Sequence, residues 1–406
     1  MHLEKTAIDG DVCNISLIDY IIVFLLLFIS GNPISSLSDW SYALACVLFL
    51  FIAIRKRVPI TNRYLLGILF AFISVFSAHY LCLENVSVNA DINQLIKLYV
   101  AFLSTIIVGI QFRYVYFKVV TFLSTISLLC FFLTLLLGDF PGIVVDEIHK
   151  SLLFYNHIFI GEHDSPVGIR NCGMFWEPGA FQGYINLVFL LYIKDFMSLY
   201  KSYKREIWIL IITLITTFST TGYIVFGVFL LFVILGSIRN VVLRIFAFVI
   251  YVLITLLFFF NIDFLGGKVE SQYEESQVIK NEGAASSRIG SAIVAWENIE
   301  QHPYIGNGYL VKERYKKSFF DESTGGNGFF GSMNVLGIPM ILIYLVLLYK
   351  NYKSSSLFKL SFVVVIVILL QGEYFLDYPL FWSLLFIKYP KVIMDSFNCS
   401  SYNIIR

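Results

Sequence analysis

The stretch IWILIITLITTFSTTGYIVFGVFLLFVILGS, residues 207–237, decides how this chain is laid out. It is almost wholly apolar. At about 30 residues it is too long for one upright helix, because a membrane span needs roughly 20. Thr216, Thr217, Ser219, Thr220, Thr221 and Gly222 interrupt it near its middle. Read as a single span, it sends the basic gap that follows it to the wrong side of a membrane. Split at the hydroxyl cluster into a tight helical hairpin, it keeps every basic gap on one side.

That choice rests on an alternation along the chain. Arg55, Lys56, Arg57 and Arg63 occupy one gap between apolar runs, and Arg113 and Lys118 the next of the same set. Lys194, Lys201, Lys204 and Arg205 follow, then Arg239 and Arg244, then Lys350, Lys353 and Lys359, then Lys388, Lys391 and Arg406. The intervening short gaps, Gly31–Asp39, Glu84–Asn93, Ser219–Gly222 and Gly372–Pro379, contain no Lys or Arg. An excess of cations in every second loop is the positive-inside pattern of a polytopic bacterial inner-membrane protein, with both termini cytoplasmic.

Composition agrees. The chain is 58% hydrophobic and 14% charged, against roughly 25% charged residues in soluble domains. The net charge of +1 gives no footing for nucleic acid. Six cysteines are scattered without CxxC or metal-ligand spacing. Cys82 and Cys172 fall near the outer face, and lone apolar thiols describe them better than a disulfide does. The first apolar run lacks a small-residue cleavage site and reads as a retained span.

About twelve runs meet the length and polarity of spans. They lie near 15–30, 40–54, 64–83, 95–112, 115–138, 179–193, 206–218, 222–238, 241–260, 328–349, 357–371 and 379–390. The expected fold is therefore an all-α polytopic membrane protein, a single integral domain over 1–406. Two long outward (periplasmic) loops are expected, at 139–178 and 261–327. Both are too polar for lipid, and loops of this length usually carry function. The second holds a helix capped by Ser286 or Ser287, with Ile289, Ile293, Trp296 and Ile299 at helical spacing. It is expected to lie on the membrane surface, apolar face down. His302-Pro303 ends it, and Gly306-Asn307-Gly308 makes a flexible turn.

The residues able to carry chemistry sit on these loops. Arg170 and Glu177 are seven positions apart at the mouth of the sixth run, with Gly173 and Gly179 allowing close backbone turns and Pro178 starting a helix. The positive end of that helix favours an ionised Glu177, and a carboxylate at the lipid–water boundary can accept a proton from a sugar hydroxyl. The plain alternative is a capping acid beside a solvated arginine. Arg288 opens the second-loop helix. Its guanidinium binds phosphate oxygens through parallel bonds, whereas as a mere surface residue it opposes the helix dipole. His302 can donate to phosphate or sugar. His149, His157, Glu162, His163 and Asp164 match no metal motif, so no metal is expected. Lys312, Arg314, Lys316 and Lys317 form an outward basic strip that attracts anionic headgroups or glycan, or is simply solvated. Glu373 and Asp377, between the last two runs, read as ordinary outward-loop carboxylates, with pathway carboxylates as the alternative. There is no ATP-binding loop, GxSxG, HExxH or DxD signal. An enzyme built this way needs an already activated substrate delivered through the membrane, which a lipid-linked diphosphate sugar supplies.

With those residues in view, the chain resembles the O-antigen polymerase and O-antigen ligase superfamily. The resemblance runs through Arg170-x-x-Gly173-x-x-x-Glu177-Pro178, Thr217-Phe-Ser219-Thr-Thr-Gly222, Ser287-Arg288, Trp296, Pro303 and Gly306-Asn307-Gly308. Asn327-Gly-Phe and Gly337 complete it. It implies a multispan glycosyltransferase of GT-C type acting on undecaprenyl-diphosphate-linked glycans at the periplasmic face, without cofactor or metal. In those terms Arg170 and Arg288 hold the diphosphate, Glu177 serves the acceptor hydroxyl, and Gly173, Ser219, His302 and Asn327 line the substrate. The implied partners are the lipid-linked glycan as donor and acceptor, the bilayer, and a chain-length regulator protein. Ligases of this superfamily carry a histidine where this chain has Asn327, which weakens the ligase alternative. A polysaccharide flippase is the rival from another class, but the charges lie at span ends rather than mid-span. The expectation is a polymerase in which Arg170, Glu177 and Arg288 come together around a phosphoanhydride.

Overall fold

The computed structural model describes residues 15–36, 40–83, 86–138, 142–145, 149–158, 169–261, 288–309, 327–352 and 354–387. Ser286, Ser287, Glu162, His163, Asp164 and the basic strip at 312–317 lie outside them.

The protein is an all-α polytopic membrane protein. Its helices are α1 (Leu17–Ile29), α2 (Pro33–Ser36), α3 (Ser41–Arg55), α4 (Arg63–Cys82), α5 (Val88–Val108) and α6 (Phe112–Leu137). After a small sheet come α7 (Pro178–Leu191), α8 (Phe196–Ser202), α9 (Lys204–Thr216), α10 (Thr220–Ser237) and α11 (Val241–Asn261). The chain closes with α12 (Arg288–Ile299), α13 (Gly328–Leu336), α14 (Ile338–Asn351), α15 (Ser356–Gly372) and α16 (Pro379–Ser383). Among the described residues α4, the run Val88–Leu137 and α10 are long and apolar enough to cross a membrane. Shorter apolar helices stand at Leu17–Ile29, Ser41–Arg55, Pro178–Leu191 and Ser356–Gly372. Large side chains such as Phe70, Leu133 and Val242 are left exposed, a surface that suits lipid and not water.

The 207–237 stretch is two helices. α9 ends at Thr216, Phe218 takes a positive φ of 45°, and α10 starts at Thr220. A phenylalanine in the left-handed region is uncommon, and it stops the helix where the hydroxyl cluster interrupts the apolar run. A second stop comes at Gly109, whose φ of 74° separates α5 from α6.

Several expectations change. The tenth apolar run is not one helix. α13 and α14 meet at a 118° bend, because Gly337 (φ 81°) leaves the helical region and lies against the Tyr304 carbonyl, where a side chain would clash. Among its described residues the twelfth run forms the five-residue α16 and a turn. It is buried in protein, with Leu380 N–H donating to Ser30 Oγ at 3.2 Å. The first long loop carries a three-stranded antiparallel sheet, β1 (Ile143–Val144), β2 (His149–Leu152) and β3 (Tyr155–Ile158), in the order β1-β2-β3.

The chain forms two compact units. The first comprises 1–66, 93–219 and 378–406. Its centre is α7, every residue of which is buried, as expected of a helix apolar all round. Two tyrosines in this apolar interior are chained through their hydroxyls, which would be costly to bury unpaired. Tyr116 Oη donates to the Tyr184 carbonyl at 2.9 Å, and Tyr184 Oη donates to the Ser30 carbonyl. The basic gaps tie helix ends to one another. Lys56 pairs with Asp19 at 2.7 Å and Lys118 with Glu206 at 3.0 Å, while Arg113 donates to the Leu191 carbonyl and lies over the Tyr192 ring.

The second unit comprises 67–92 and 220–377. α10 packs along α15, where Gly236 makes room for the Phe358 ring and Gly372 for Thr221. α13 packs on α12 and α15. The Gly306-Asn307-Gly308 turn is not flexible, as its composition suggests, but tied. Asn307 N–H donates to Asn334 O (2.6 Å), its Nδ2 donates to Asn298 O (2.9 Å) and Asn334 Oδ1 (2.7 Å), and Ile338 N–H donates to Pro303 O (2.9 Å). α12 also differs from expectation. It buries Gly290, Ser291, Ala295, Asn298 and Ile299, leaving Trp296 exposed with its ring edge-on to Phe330. Small residues let its backbone approach α13 closely, with Ile299 buried beside them and Ile289 and Ile293 partly buried.

Candidate functional site

In the first unit, Arg170 and Glu177 flank a buried segment. Asn171 to Phe175 are all buried, whereas Arg170, Trp176 and Glu177 are only partly so. Neighbouring backbone clamps this segment from several sides. Asn171 N–H donates to Thr216 O (3.0 Å) and its Nδ2 to Thr216 Oγ1 (3.0 Å), while Ser127 Oγ donates to Asn171 Oδ1. Asn32 Nδ2 donates to Met174 O (2.8 Å), Asn156 Nδ2 donates to Phe175 O (2.9 Å), and Trp176 N–H donates to Gly31 O (3.0 Å). His149, on β2, bonds the Trp176 carbonyl through Nε2 at 2.8 Å, and the Trp176 ring stacks on Tyr378. The two charged ends are therefore mounted on a fixed strap. Arg170 Nε donates to the Thr217 carbonyl at 3.1 Å, inside the hydroxyl cluster that breaks 207–237.

Glu177 is the residue that precedes α7, with Pro178 in the first turn. Its carboxylate makes no capping hydrogen bond. A capping acid ties itself to the N–H groups of the first turn. This one makes no such bond at the positive end of the helix, so the plain reading of Glu177 as a cap does not hold. Gly173 has a structural task. Its φ is 56°, its N–H donates to Asn171 Oδ1 (3.0 Å), its carbonyl accepts from Asn156 N (2.5 Å), and a Cβ would meet the Phe181 ring at 2.7 Å. Cys172 is buried and Cys82 exposed, and both are free thiols.

In the second unit, Arg288 opens α12 with two specific partners. One terminal nitrogen donates to Thr221 Oγ1 at 2.7 Å, and the other pairs with Glu373 Oε1 at 2.9 Å. Sequence reasoning passed over Glu373 as an ordinary loop carboxylate, yet its side chain is only 9% exposed. Its place is enforced by glycines on α13. A Cβ on Gly328 would overlap the Glu373 carbonyl, and one on Gly331 would overlap the Tyr374 ring. A guanidinium offers five N–H donors, so the two engaged here hold the plane and leave others for an anion. Thr221 was visible only as part of the span-breaking cluster.

Asn327 caps α13, its Oδ1 accepting from Phe330 N–H (3.2 Å) while Nδ2 donates to Gln371 Oε1 (2.6 Å). His302 is half-buried at the end of α12, and its imidazole makes no hydrogen bond among the described residues. Ser219 is buried at the break between α9 and α10. Arg170, Glu177, Gly173 and Ser219 thus belong to the first unit, and Arg288, Thr221, Glu373, Asn327 and His302 to the second.

A polytopic helical membrane protein with a fixed, partly exposed carboxylate and a buttressed arginine is the class these features define. Residues 207–335 match the family model described as O-antigen ligase. That match over about a third of the chain is consistent with the O-antigen polymerase and ligase superfamily its motifs resemble. The matched stretch contains the hydroxyl cluster, Arg288, His302 and Asn327. No curated protein and no solved structure matches the chain.

Proposed function

We propose that the protein is a polysaccharide polymerase. It transfers a growing glycan from undecaprenyl diphosphate to the non-reducing-end sugar of a new lipid-linked repeat unit, at the extracytoplasmic face of the inner membrane. The observation that carries this reading over a ligase is Asn327. It stands where ligases of the superfamily have a histidine, a carboxamide has no basic nitrogen, and this one is spent on a helix cap and on Gln371.

In this reading Arg170 and Arg288 face the negative charge that builds on the diphosphate as it leaves. Arg288 suits that task because Thr221 and Glu373 fix its plane in advance. Glu177 takes the proton of the acceptor hydroxyl. The new bond forms between the acceptor oxygen and the anomeric carbon. The bond from that carbon to the diphosphate oxygen breaks, and undecaprenyl diphosphate departs with the electron pair. Direct displacement inverts the anomeric configuration. The description of the matched family favours a ligase, which would pass the finished glycan to lipid A core. A deletion strain separates the two. Loss of a polymerase leaves single repeat units on the core, and loss of a ligase leaves none.

A further inference from the structure

The scheme above uses Glu177 but not the small sheet that grips the segment before it. His149 and Ser151 are the buried positions of β2, and Asn156, which pairs with Ser151, is buried on β3. Ser151 Oγ donates to Asn156 Oδ1, which settles that the amide nitrogen is the end turned to the segment. Asn156 N–H reaches Gly173 O (2.5 Å), Asn156 Nδ2 reaches Phe175 O (2.9 Å), and His149 Nε2 reaches Trp176 O (2.8 Å). A carbonyl only accepts, so Nε2 carries the proton. Asn32 Nδ2 takes the carbonyl between them, Met174 O, at 2.8 Å. Each carbonyl from 173 to 176 is thus held by a donor from outside the segment. All these groups belong to the first unit.

Buried carbonyls need donors, and three of these receive an amide. The last receives the 8% exposed imidazole of His149. It is also the one that bears on Glu177. A peptide group is planar, so pinning the Trp176 carbonyl pins the Glu177 nitrogen with it. Trp176 is fixed in turn by its N–H bond to Gly31 O (3.0 Å) and by its ring, which fills the space over Gly31 and stacks on Tyr378. On the other side, the Glu177 carbonyl accepts from Ala180 N and Phe181 N, both at 3.2 Å. The Glu177 backbone is gripped before and after, while its carboxylate makes no capping bond. The backbone therefore aims the side chain.

We propose that His149 is a positioning residue for Glu177, setting through the Trp176 carbonyl the direction from which the carboxylate meets the acceptor hydroxyl. This inference rests on the reading of Glu177 as the base of the proposed reaction. A misplacement of about 1 Å can cost on the order of 10²-fold in rate. An imidazole is a rigid donor on two rotatable bonds, so it holds a peptide plane more firmly than a longer, jointed side chain does.

The test measures transfer by the purified protein in nanodiscs, with undecaprenyl-diphosphate-linked repeat units as substrate. His149→Leu removes the donor at similar bulk, and His149→Gln keeps an N–H within reach of the Trp176 carbonyl. His149→Leu is expected to lower kcat at least about tenfold with KM within about threefold, and His149→Gln to recover most of that loss. In a Glu177→Gln background no base is left to aim, so His149→Leu is expected to add no more than about a twofold loss. An equal loss in both backgrounds overturns the inference, because His149 then acts on the fold and not through Glu177. A His149→Leu rate within about twofold of wild type, with Glu177→Gln impaired, also overturns it and leaves the proposed function standing. Full activity of Glu177→Gln overturns the role of Glu177 and this inference together. If neither His149 variant accumulates in the membrane, His149 is a structural residue and the inference falls.

Discussion

Arg288 and Glu373, 85 positions apart in sequence, form an ion pair at 2.9 Å in which the glutamate side chain is 9% exposed and the arginine side chain 28%. The pair links the start of α12 to the end of α15, and Thr221 at the start of α10 holds the other arm of the same guanidinium. Removing one partner of a buried pair typically costs about 3–5 kcal/mol, because the other charge is stranded. Partial exposure of Arg288 places this pair at or below the lower end of that range. Glu373→Ala is expected to lower the unfolding temperature in detergent, and the Arg288→Ala/Glu373→Ala double variant to lose less than the sum of the singles. Additive losses, within about 0.5 kcal/mol, would show that the two side chains do not work together.

Gly328 makes a sharper test of how Glu373 is placed. A methyl group there would overlap the Glu373 carbonyl backbone, which has no free rotor to move aside. Gly328→Ala is expected to cost about 1–3 kcal/mol through overpacking and to reduce activity by displacing Glu373. Gly67→Ala is the matched control, since nothing lies within 4 Å of its Cβ. In a helix interior it is expected to be neutral or to stabilise by up to about 1 kcal/mol. Equal effects at the two positions would remove the argument from close packing.

Glu177 separates stability from function. Its carboxylate caps nothing, so Glu177→Gln is expected to change unfolding free energy by no more than about 0.5 kcal/mol. If it takes the acceptor proton, the same change lowers the transfer rate by about 10²–10⁴-fold. A destabilised but active variant would reverse this assignment and make Glu177 a structural residue.

Asn327 is expected to behave in the opposite way. Asn327→Ala loses a helix cap, worth about 0.5–2 kcal/mol, together with the bond to Gln371. Asn327→Asp restores the cap acceptor and is expected to recover most of that stability, with glycan ladders following protein level throughout. A ladder lost at full protein level in Asn327→Ala would give this residue a direct part in the reaction.

Much of the helix layout is readable from the residues because apolar run length is a local property. The break after Thr216 falls at the hydroxyl cluster, and α7, α10 and α15 begin within two residues of the expected runs. What escaped that reading depends on distant partners or on single backbone positions. Glu373 looks like any loop acid until α13 and Arg288 are brought to it. The 118° bend was signalled only by Gly337-Ile338-Pro339, a helix-breaking pair inside an otherwise unbroken apolar run. The packed face of α12 carries Gly290, Ser291 and Ala295 beside Ile299, and a count of bulky residues alone misses the small ones. For the candidate site, Arg170, Glu177 and Arg288 were legible as charged residues beside helix starts. Their buttresses, Thr217, Thr221 and Glu373, were not.

The most direct measurement uses the purified protein in nanodiscs, supplied only with undecaprenyl-diphosphate-linked repeat units and no lipid A core. The account predicts lipid-linked glycans lengthened by whole repeat units, one undecaprenyl diphosphate released per linkage formed, and neither product with Arg288→Ala. Turnover that appears only when lipid A core is added would contradict it and make the protein a ligase.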